Sequence, residues 1–130
     1  MIVVDASVLA SALADDGADG DRVRRRLAGE LLFAPELIDL EVASVWRRAA
    51  RSGRLDGRRA ALALADLASV PVARAPHLPL MGRIWDLRAN LTSYDAAYVA
   101  LAEMLDSVLV TADRALGDAS GVECEVEVLS

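Results

Sequence analysis

Four carboxylates from distant parts of the chain stand where the predicted topology brings them to one edge of a sheet. Asp5 directly follows the first predicted strand, and Asp113 lies just past the fourth. Asp95 is in the first turn of the helix that leads into the fourth strand, and Glu41 is on the helix after the second. In a parallel sheet with crossover helices, strand carboxyl ends and helix N-termini share one edge. We therefore expect these four acids to converge there.

Such a cluster of carboxylates favours a hard cation. Two carboxylates about 5 Å apart repel by roughly 3 kcal/mol at an effective dielectric constant of about 20, so four of them need a cation or raised pKa values. Oxygen ligands without Cys or His partners favour Mg²⁺ or Mn²⁺ over Zn²⁺. Mg²⁺ commonly binds substrate phosphate, and it can lower the pKa of an attacking water and offset charge on a phosphate. The pattern therefore indicates phosphodiester chemistry.

Each acid also has an ordinary structural interpretation, and at this point both interpretations stay open. Asp5 and Asp113 could cap the helices that follow them, and Asp95 could complement a helix dipole. Glu41 could lie on the surface, but its apolar neighbours argue against this, because a buried unpaired carboxylate is costly. Glu41 lies about six residues into its helix, roughly 9 Å along the axis, and its side chain would lean back toward the edge.

Alternating apolar runs and amphipathic segments predict the elements that position these acids. Strands are predicted at 1–4, 31–34, 70–73 and 108–111, with a fifth, edge strand at 124–128. Helices are predicted at 7–13, 21–28, 37–51, 77–90, 93–105 and 114–116. A further helix, capped by Asp56, would turn Leu62 and Leu67 inward. The alternation predicts a single α/β domain over residues 1–130, with a parallel sheet of four to five strands and helices on both faces.

Composition excludes several classes of protein. The chain has 130 residues, of which 55% are hydrophobic, which argues against intrinsic disorder. Its one cysteine excludes a disulfide framework and a thiolate zinc site. No apolar run reaches the roughly 18–20 residues of a membrane helix, and the N-terminus lacks the basic region of a signal peptide. We therefore expect a soluble, cytoplasmic protein with no membrane association.

Charge is unevenly distributed along the chain. The net charge of −6 argues against nucleic-acid binding by bulk electrostatics. All 14 basic residues are Arg; positions 22–59 carry ten of them against five acids (10 − 5 = +5), whereas positions 86–130 carry two against nine acids (2 − 9 = −7). The basic segment is either a set of solvated helix faces or a rim beside an acidic pocket. Arg suits the second role because its planar fork can bind two phosphate oxygens.

Four blocks of sequence point to one family. They run VVDASVLASAL at 3–13, PELIDLEVASVWRR at 35–48, LTSYDAAYVALAE at 91–103 and VLVTADRAL at 108–116. Together, in this order and over essentially the whole chain, they resemble PIN-domain ribonucleases, specifically the VapC-type toxins of bacterial toxin–antitoxin pairs. The third and fourth blocks are the most specific. The resemblance implies a PIN fold and a Mg²⁺-dependent endoribonuclease that acts as a toxin.

The resemblance also assigns roles to individual residues. The family's acidic quartet falls on the four carboxylates selected above: Asp5, Glu41, Asp95 and Asp113. By the resemblance, Asp5 and Asp95 are the firmest ligands of Mg²⁺, or of Mn²⁺ in its place, and Glu41 and Asp113 complete the site directly or through water. Ser7 and Thr111 match small hydroxyl positions next to the ligands. The quartet is complete in this sequence.

Partners follow from the resemblance as well. It implies an RNA substrate, a small cognate antitoxin and a homodimer. We predict that removing charge at Arg47, Arg48 or Arg51 weakens RNA binding and flattens its dependence on salt. The same arginines could instead hold an acidic segment of the antitoxin.

Two other functions compete with the nuclease hypothesis. A phospho-receiver domain also has clustered acids on an α/β sheet, but it normally needs a Lys at a strand end, and this chain has no Lys. A non-catalytic, PIN-like module that only binds a partner protein would have no need for four mutually repelling acids. We expect His77 and Cys124 to be structural, and Tyr94, next to Asp95, could border the cleft.

Overall fold

A five-stranded, fully parallel sheet forms the centre of the computed structural model, which describes residues 1–129. The strands are β1 (Ile2–Val4), β2 (Leu32–Pro35), β3 (Val72–Ala75), β4 (Val108–Thr111) and β5 (Val126–Val128). Their order across the sheet is β3-β2-β1-β4-β5. The α/β class and the parallel sheet predicted from the sequence are confirmed, with the fifth strand at the predicted edge next to β4.

Seven α-helices connect and cover the strands. They are α1 (Ala6–Ala14), α2 (Ala18–Leu27), α3 (Ile38–Arg51), α4 (Gly57–Ser69), α5 (Met81–Asp86), α6 (Ser93–Met104) and α7 (Arg114–Gly117), with a 3₁₀ turn at Leu78–Leu80 before α5. Helix α6 packs across β1, β2 and β4, while α1 contacts β4 and supports α2, α3 and α4. Within residues 1–129, no helix is long and apolar enough to cross a membrane.

The core lies where the central strands meet α6. Val3, Val4, Leu109 and Val110 are fully buried, as expected for central strands of a parallel sheet covered on both faces. In α6 every residue from 96 to 102 is buried. This helix therefore packs closely in the core, and its exposed first turn lies at the edge of the sheet.

Several expectations from the sequence differ from the structure. The helix predicted at 77–90 is instead a 3₁₀ turn, with Pro79 in its first turn, followed by the short α5, which ends at Asp86. Strand β3 begins at Val72, since Pro71 cannot donate to the ladder. The inward orientation of Leu62 was wrong: it is 61% exposed. Positions five apart on a helix do not share a face, and α4 buries Ala63 with Leu67 instead.

Candidate active site

The strand order places a crevice between β1 and β4. From β1 the chain runs outward to β2 and β3, then returns to lay β4 on the other side of β1. Open α/β sheets bind ligands at such a switch point, beyond the carboxyl ends of the strands. Asp5 directly follows β1, and Asp113 lies two residues after β4. The first turns of α3 and α6 bring Glu41 and Asp95 to the same edge.

The four predicted acids line one cleft, called here the acidic cleft. Its volume is about 520 Å³. Its lining consists of Asp5, Ala6, Ser7, Leu40, Glu41, Ser44, Val45, Arg48, Tyr94, Asp95, Tyr98 and Asp113. The structure therefore brings together residues that are up to 108 positions apart in the sequence (113 − 5 = 108).

Asp5 forms the floor of the acidic cleft and is only 9% exposed. Its Oδ1 accepts hydrogen bonds from the Ser7 hydroxyl at 2.6 Å and from the backbone N–H of Val8 at 3.1 Å. Its Oδ2 accepts from the Thr111 hydroxyl. Burial raises the pKa of Asp5 above its ordinary value, and these three hydrogen bonds offset only part of the rise. Asp5 therefore both caps α1 and presents a constrained carboxylate at the switch point.

Asp113 also combines a structural role with a place in the cleft. Its Oδ1 accepts from the backbone N–H of Ala115 at 2.9 Å, which caps α7. Its own backbone N–H donates to the Thr111 hydroxyl at 3.0 Å. Thr111 thus accepts from Asp113 and donates to Asp5, linking the two segments. The cap uses one carboxylate oxygen and leaves the other without a hydrogen-bond partner within residues 1–129. Asp113 can therefore cap α7 and also contribute a carboxylate oxygen to the cleft.

Glu41 lies closer to the edge than the sequence suggested. Helix α3 begins at Ile38, so Glu41 is three residues beyond its start, about 4.5 Å along the axis at about 1.5 Å per residue. The predicted depth of Glu41, about six residues into its helix, was too large because positions 36 and 37 form a turn and are not part of α3. The N-terminus of α3 is fixed by His77, whose Nε2 accepts from the backbone N–H of Leu37 at 2.9 Å.

One hydrogen bond crosses from α6 to α3. The Tyr98 hydroxyl donates to Oε1 of Glu41 at 2.6 Å. Burial raises the pKa of Glu41; the Tyr98 hydrogen bond works against this, and the negative charges of Asp95 and Asp5 add to it. Neither this bond nor the His77 bond was predicted from the sequence. The only available signal was a tyrosine hydroxyl on an otherwise apolar helix face, because partners 57 and 40 positions away cannot be inferred locally.

Asp95 lies in the first turn of α6. Its backbone N–H donates to the Thr92 hydroxyl at 3.1 Å, which caps α6. Its side chain is half-buried, and burial followed by repulsion from Asp113 and Asp5 raises its pKa. No carboxylate of the quartet forms a salt bridge with any residue in the range 1–129. The four carboxylates are therefore not ion-paired with any described residue.

A divalent cation would supply the missing positive charge. Among the described residues, no three Asp, Glu, His or Cys side chains are already close enough to form a metal-binding group. Mg²⁺ does not need such a cage, because it binds through one or two carboxylates and keeps several waters. An all-oxygen donor set favours Mg²⁺ or Mn²⁺ over Zn²⁺.

The three arginines predicted to bind RNA are placed differently. Arg48 lines the acidic cleft, two turns along α3 from Glu41. Arg47 and Arg51 are exposed on the same helix, but they are not part of the cleft lining. Arg48 is also the only basic side chain in that lining. Of the three, it is the one positioned to meet a phosphate next to the acids.

Comparisons with known proteins agree with this arrangement. The family model of the PIN domain matches residues 2–122. Ribonuclease VapC9 of Mycobacterium tuberculosis is 48% identical over 132 residues, covering 99% of this chain and 98% of its own. Ribonuclease VapC1 of the same organism is 41% identical over 128 residues, covering 98% and 96%.

Solved structures share the fold. A crystal structure of a Pyrobaculum aerophilum protein superposes with a TM-score of 0.67 at 27% identity, covering 95% of this chain and 87% of the other. VapC20 of Mycobacterium tuberculosis, a sarcin–ricin-loop-cleaving toxin, superposes with a TM-score of 0.61 at 18% identity, covering 84% and 87%. At that identity the second likeness concerns the fold alone.

Proposed function

This chain belongs to the PIN-domain family, and we propose that it is a Mg²⁺-dependent endoribonuclease that acts as the toxin of a toxin–antitoxin pair. The observation that carries the proposal is the convergence of four carboxylates on the switch point of the sheet. Three of them have raised pKa values, and the protein provides none of them with a counterion among residues 1–129. Such shifts are concentrated at functional sites. The ribonuclease relatives support the choice of RNA as substrate.

Each acid takes a distinct role in this proposal. Asp5 and Asp95 hold the metal ion, and Glu41 and Asp113 complete its surroundings directly or through water. When bound, Mg²⁺, or Mn²⁺ in its place, would lower the pKa of an attacking water and offset charge on the phosphate. The protein's own contribution is to hold the carboxylates close enough together to attract the ion and bind the RNA phosphate beside it.

Hydroxyl groups keep this site in place. Ser7 and Thr111 donate to the two oxygens of Asp5, so the carboxylate cannot rotate freely. Such supporting contacts commonly matter almost as much as the ligands themselves. At the other end of the cleft, Arg48 would bind a phosphate of the RNA. Charge at Arg47 and Arg51 would act from outside the cleft.

Further properties extend from the family to this chain as proposals. We propose that residues 1–130 form one PIN domain, that a small cognate antitoxin inhibits it, and that two copies form a homodimer. A cytoplasmic location also stays a prediction.

The direct test compares RNA ends produced by the wild type and by Asp95→Asn. Asp95 is a suitable position for the substitution because its side chain forms no salt bridge within residues 1–129 and asparagine keeps its approximate shape, so we expect the fold to be retained. Total bacterial RNA would be incubated with each protein in Mg²⁺ or EDTA, and new ends mapped by sequencing. We expect discrete ends only for the wild type with Mg²⁺. The matched control is Asp118→Asn, an exposed acid at the end of α7, which should cleave normally.

Two results would contradict the proposal. Cleavage that persists in EDTA would contradict the dependence on Mg²⁺, and cleavage that persists in Asp95→Asn would contradict the role of Asp95 as a metal ligand. A folded wild type that neither cleaves nor binds Mg²⁺ would favour a protein-binding module without catalysis.

A further inference from the structure

Two tyrosines on α6 stand one helical turn apart and have opposite surroundings. Tyr94 is 63% exposed at the mouth of the acidic cleft, whereas Tyr98 is 2% exposed. The hydroxyl of Tyr98 reaches Glu41 at 2.6 Å, across 57 positions of sequence. A buried tyrosine hydroxyl needs a partner, because burial without a hydrogen bond is unfavourable. Because Glu41 accepts this hydrogen bond, a tyrosine can occupy this buried position without an unsatisfied hydroxyl.

Glu41 in turn has few other means of staying in the cleft. Asp5 is held by three donors, from Ser7, Val8 and Thr111. Glu41 has a longer, more flexible side chain, and within residues 1–129 Tyr98 is the one side chain that donates to it. It carries the same sign of charge as its neighbours in the cleft, so repulsion favours rotamers that swing toward solvent. The tyrosine hydroxyl opposes that movement.

We propose that Tyr98 is a positioning residue that holds the carboxylate of Glu41 in the acidic cleft, ready to complete the metal site, by joining α3 to α6. Tyr98 itself contacts neither the metal nor the RNA; it acts through Glu41. This inference rests on the proposed function, since it assumes that the cleft binds a divalent cation. Its distinctive consequence is that the Tyr98 hydroxyl controls metal affinity more than it controls RNA binding.

The test is the substitution Tyr98→Phe, which removes the hydroxyl and keeps the ring that packs in the core. Mg²⁺ binding would be measured by calorimetry, and cleavage would be measured over a range of Mg²⁺ concentrations. We expect the dissociation constant for Mg²⁺, and the Mg²⁺ concentration for half-maximal cleavage, to rise about 10-fold to 100-fold. Cleavage should recover largely at saturating Mg²⁺, and affinity for RNA in EDTA should not change.

A double-variant comparison identifies the route of action. Glu41→Gln keeps an acceptor for Tyr98 but removes the charge, and it should weaken Mg²⁺ binding at least as much as Tyr98→Phe. If Tyr98 acts through Glu41, the double variant should be no worse than Glu41→Gln alone. Trp46→Phe is the matched control: Trp46 is also buried, and its Nε1 donates to the backbone carbonyl of Ala10 at 3.3 Å, outside the acidic cleft. It should lower the melting temperature without changing Mg²⁺ affinity.

Three outcomes would overturn the inference, and they are distinguishable. If the wild type binds Mg²⁺ and Tyr98→Phe binds it equally well, the hydroxyl has only a role in stability. If the effects of Tyr98→Phe and Glu41→Gln add, Tyr98 does not act through Glu41. If the wild type itself shows no Mg²⁺ binding and no cleavage, the proposed function fails together with this inference.

Discussion

A second depression lies next to the acidic cleft. It has a larger volume and the same number of charged lining residues, but those charges are paired with one another differently. This second depression, here called the helical groove, lies between α1, α3 and α4 and has a volume of about 590 Å³, against about 520 Å³ for the cleft. In the groove, Arg59 binds both oxygens of Asp16 at 2.8 and 3.0 Å and donates to the carbonyl of Leu13 at 2.8 Å. Asp56 caps α4 by accepting from the backbone N–H of Arg59 at 2.8 Å.

The two regions differ in charge compensation, and the pKa directions follow from that difference. Hydrogen bonds from Arg59 lower the pKa of Asp16 in the groove. Burial and mutual repulsion raise the pKa values of Asp5, Glu41 and Asp95 in the cleft. If volume were the only criterion, the helical groove would be chosen as the candidate active site. Uncompensated charge selects the cleft, because a protein retains such unfavourable groups where a ligand relieves them.

The largest expected effect comes from changing one carboxylate in each region. Asp5→Asn removes a charge from the cleft and keeps the approximate shape of the side chain. A bound metal ion contributes several kcal/mol to the transition state, so cleavage should fall at least about 100-fold. Asp16→Asn in the groove should leave cleavage within about twofold of the wild type. Initial rates on a defined RNA, with circular dichroism as the check on folding, measure both. Equal losses in the two variants would show that the distinction between the regions has no functional meaning.

A smaller effect is expected from one arginine in each region. Arg48 lines the cleft and forms no ion pair within residues 1–129, whereas Arg59 forms an ion pair with Asp16. In the cleavage-deficient Asp95→Asn background, Arg48→Ala should weaken RNA binding about fivefold, or about 1 kcal/mol. It should also reduce the slope of log affinity against log salt by about one. Arg59→Ala should instead lower the melting temperature and leave the salt slope unchanged. Filter binding at several salt concentrations checks this; an unchanged slope for Arg48→Ala would remove Arg48 from the RNA contact.

The smallest effect is the pH dependence of stability without metal, and its sign should differ between the regions. The raised pKa of Asp5 means that its ionised form destabilises the fold; this penalty is relieved as the pH falls through the raised pKa toward the unfolded value of about 3.9. The lowered pKa of Asp16 means that its contribution is present above about 3.9 and is lost as the pH falls through the folded value.

Melting temperatures in EDTA between pH 7 and pH 3 test these signs. On acidification the wild type should gain stability relative to Asp5→Asn and lose stability relative to Asp16→Asn, by a few degrees at most. Two differences of the same sign would contradict the account.

The elements near the site could be predicted because their signals are local. The strand at 108–111 was predicted with its observed bounds, and the helix at 93–105 ends one residue later than α6. The strand has a clear apolar run, and the helix has an N-terminal cap at Thr92. Less accurate were the strand predicted at 70–73, where Pro71 cannot donate to the ladder and β3 begins at Val72, and the helix predicted at 77–90, which is a 3₁₀ turn followed by the short α5.

Placement of the acids could be predicted from topology, but their fine positions could not. The carboxyl-edge rule brings Asp5 and Asp113 together without knowledge of any contact. The depth of Glu41 depended on where α3 begins, and that start is fixed by His77, 40 positions away. The bond between Tyr98 and Glu41 likewise requires the packed helices. Sequence patterns therefore indicate which residues meet, whereas the packed fold determines how they are held.

The most direct test of the account is to locate a divalent ion on the folded protein. Both regions contain carboxylates that can bind Mn²⁺, since the groove contains Asp16 and Asp56. Amide signals in ¹H–¹⁵N spectra would be recorded during a Mn²⁺ titration, since the paramagnetic ion broadens nearby signals. The account predicts that residues 5–7, Asp95 and Asp113 broaden first, while the groove is unaffected at the same Mn²⁺ concentration. Earlier broadening in the groove, or equal broadening in both regions, would contradict it.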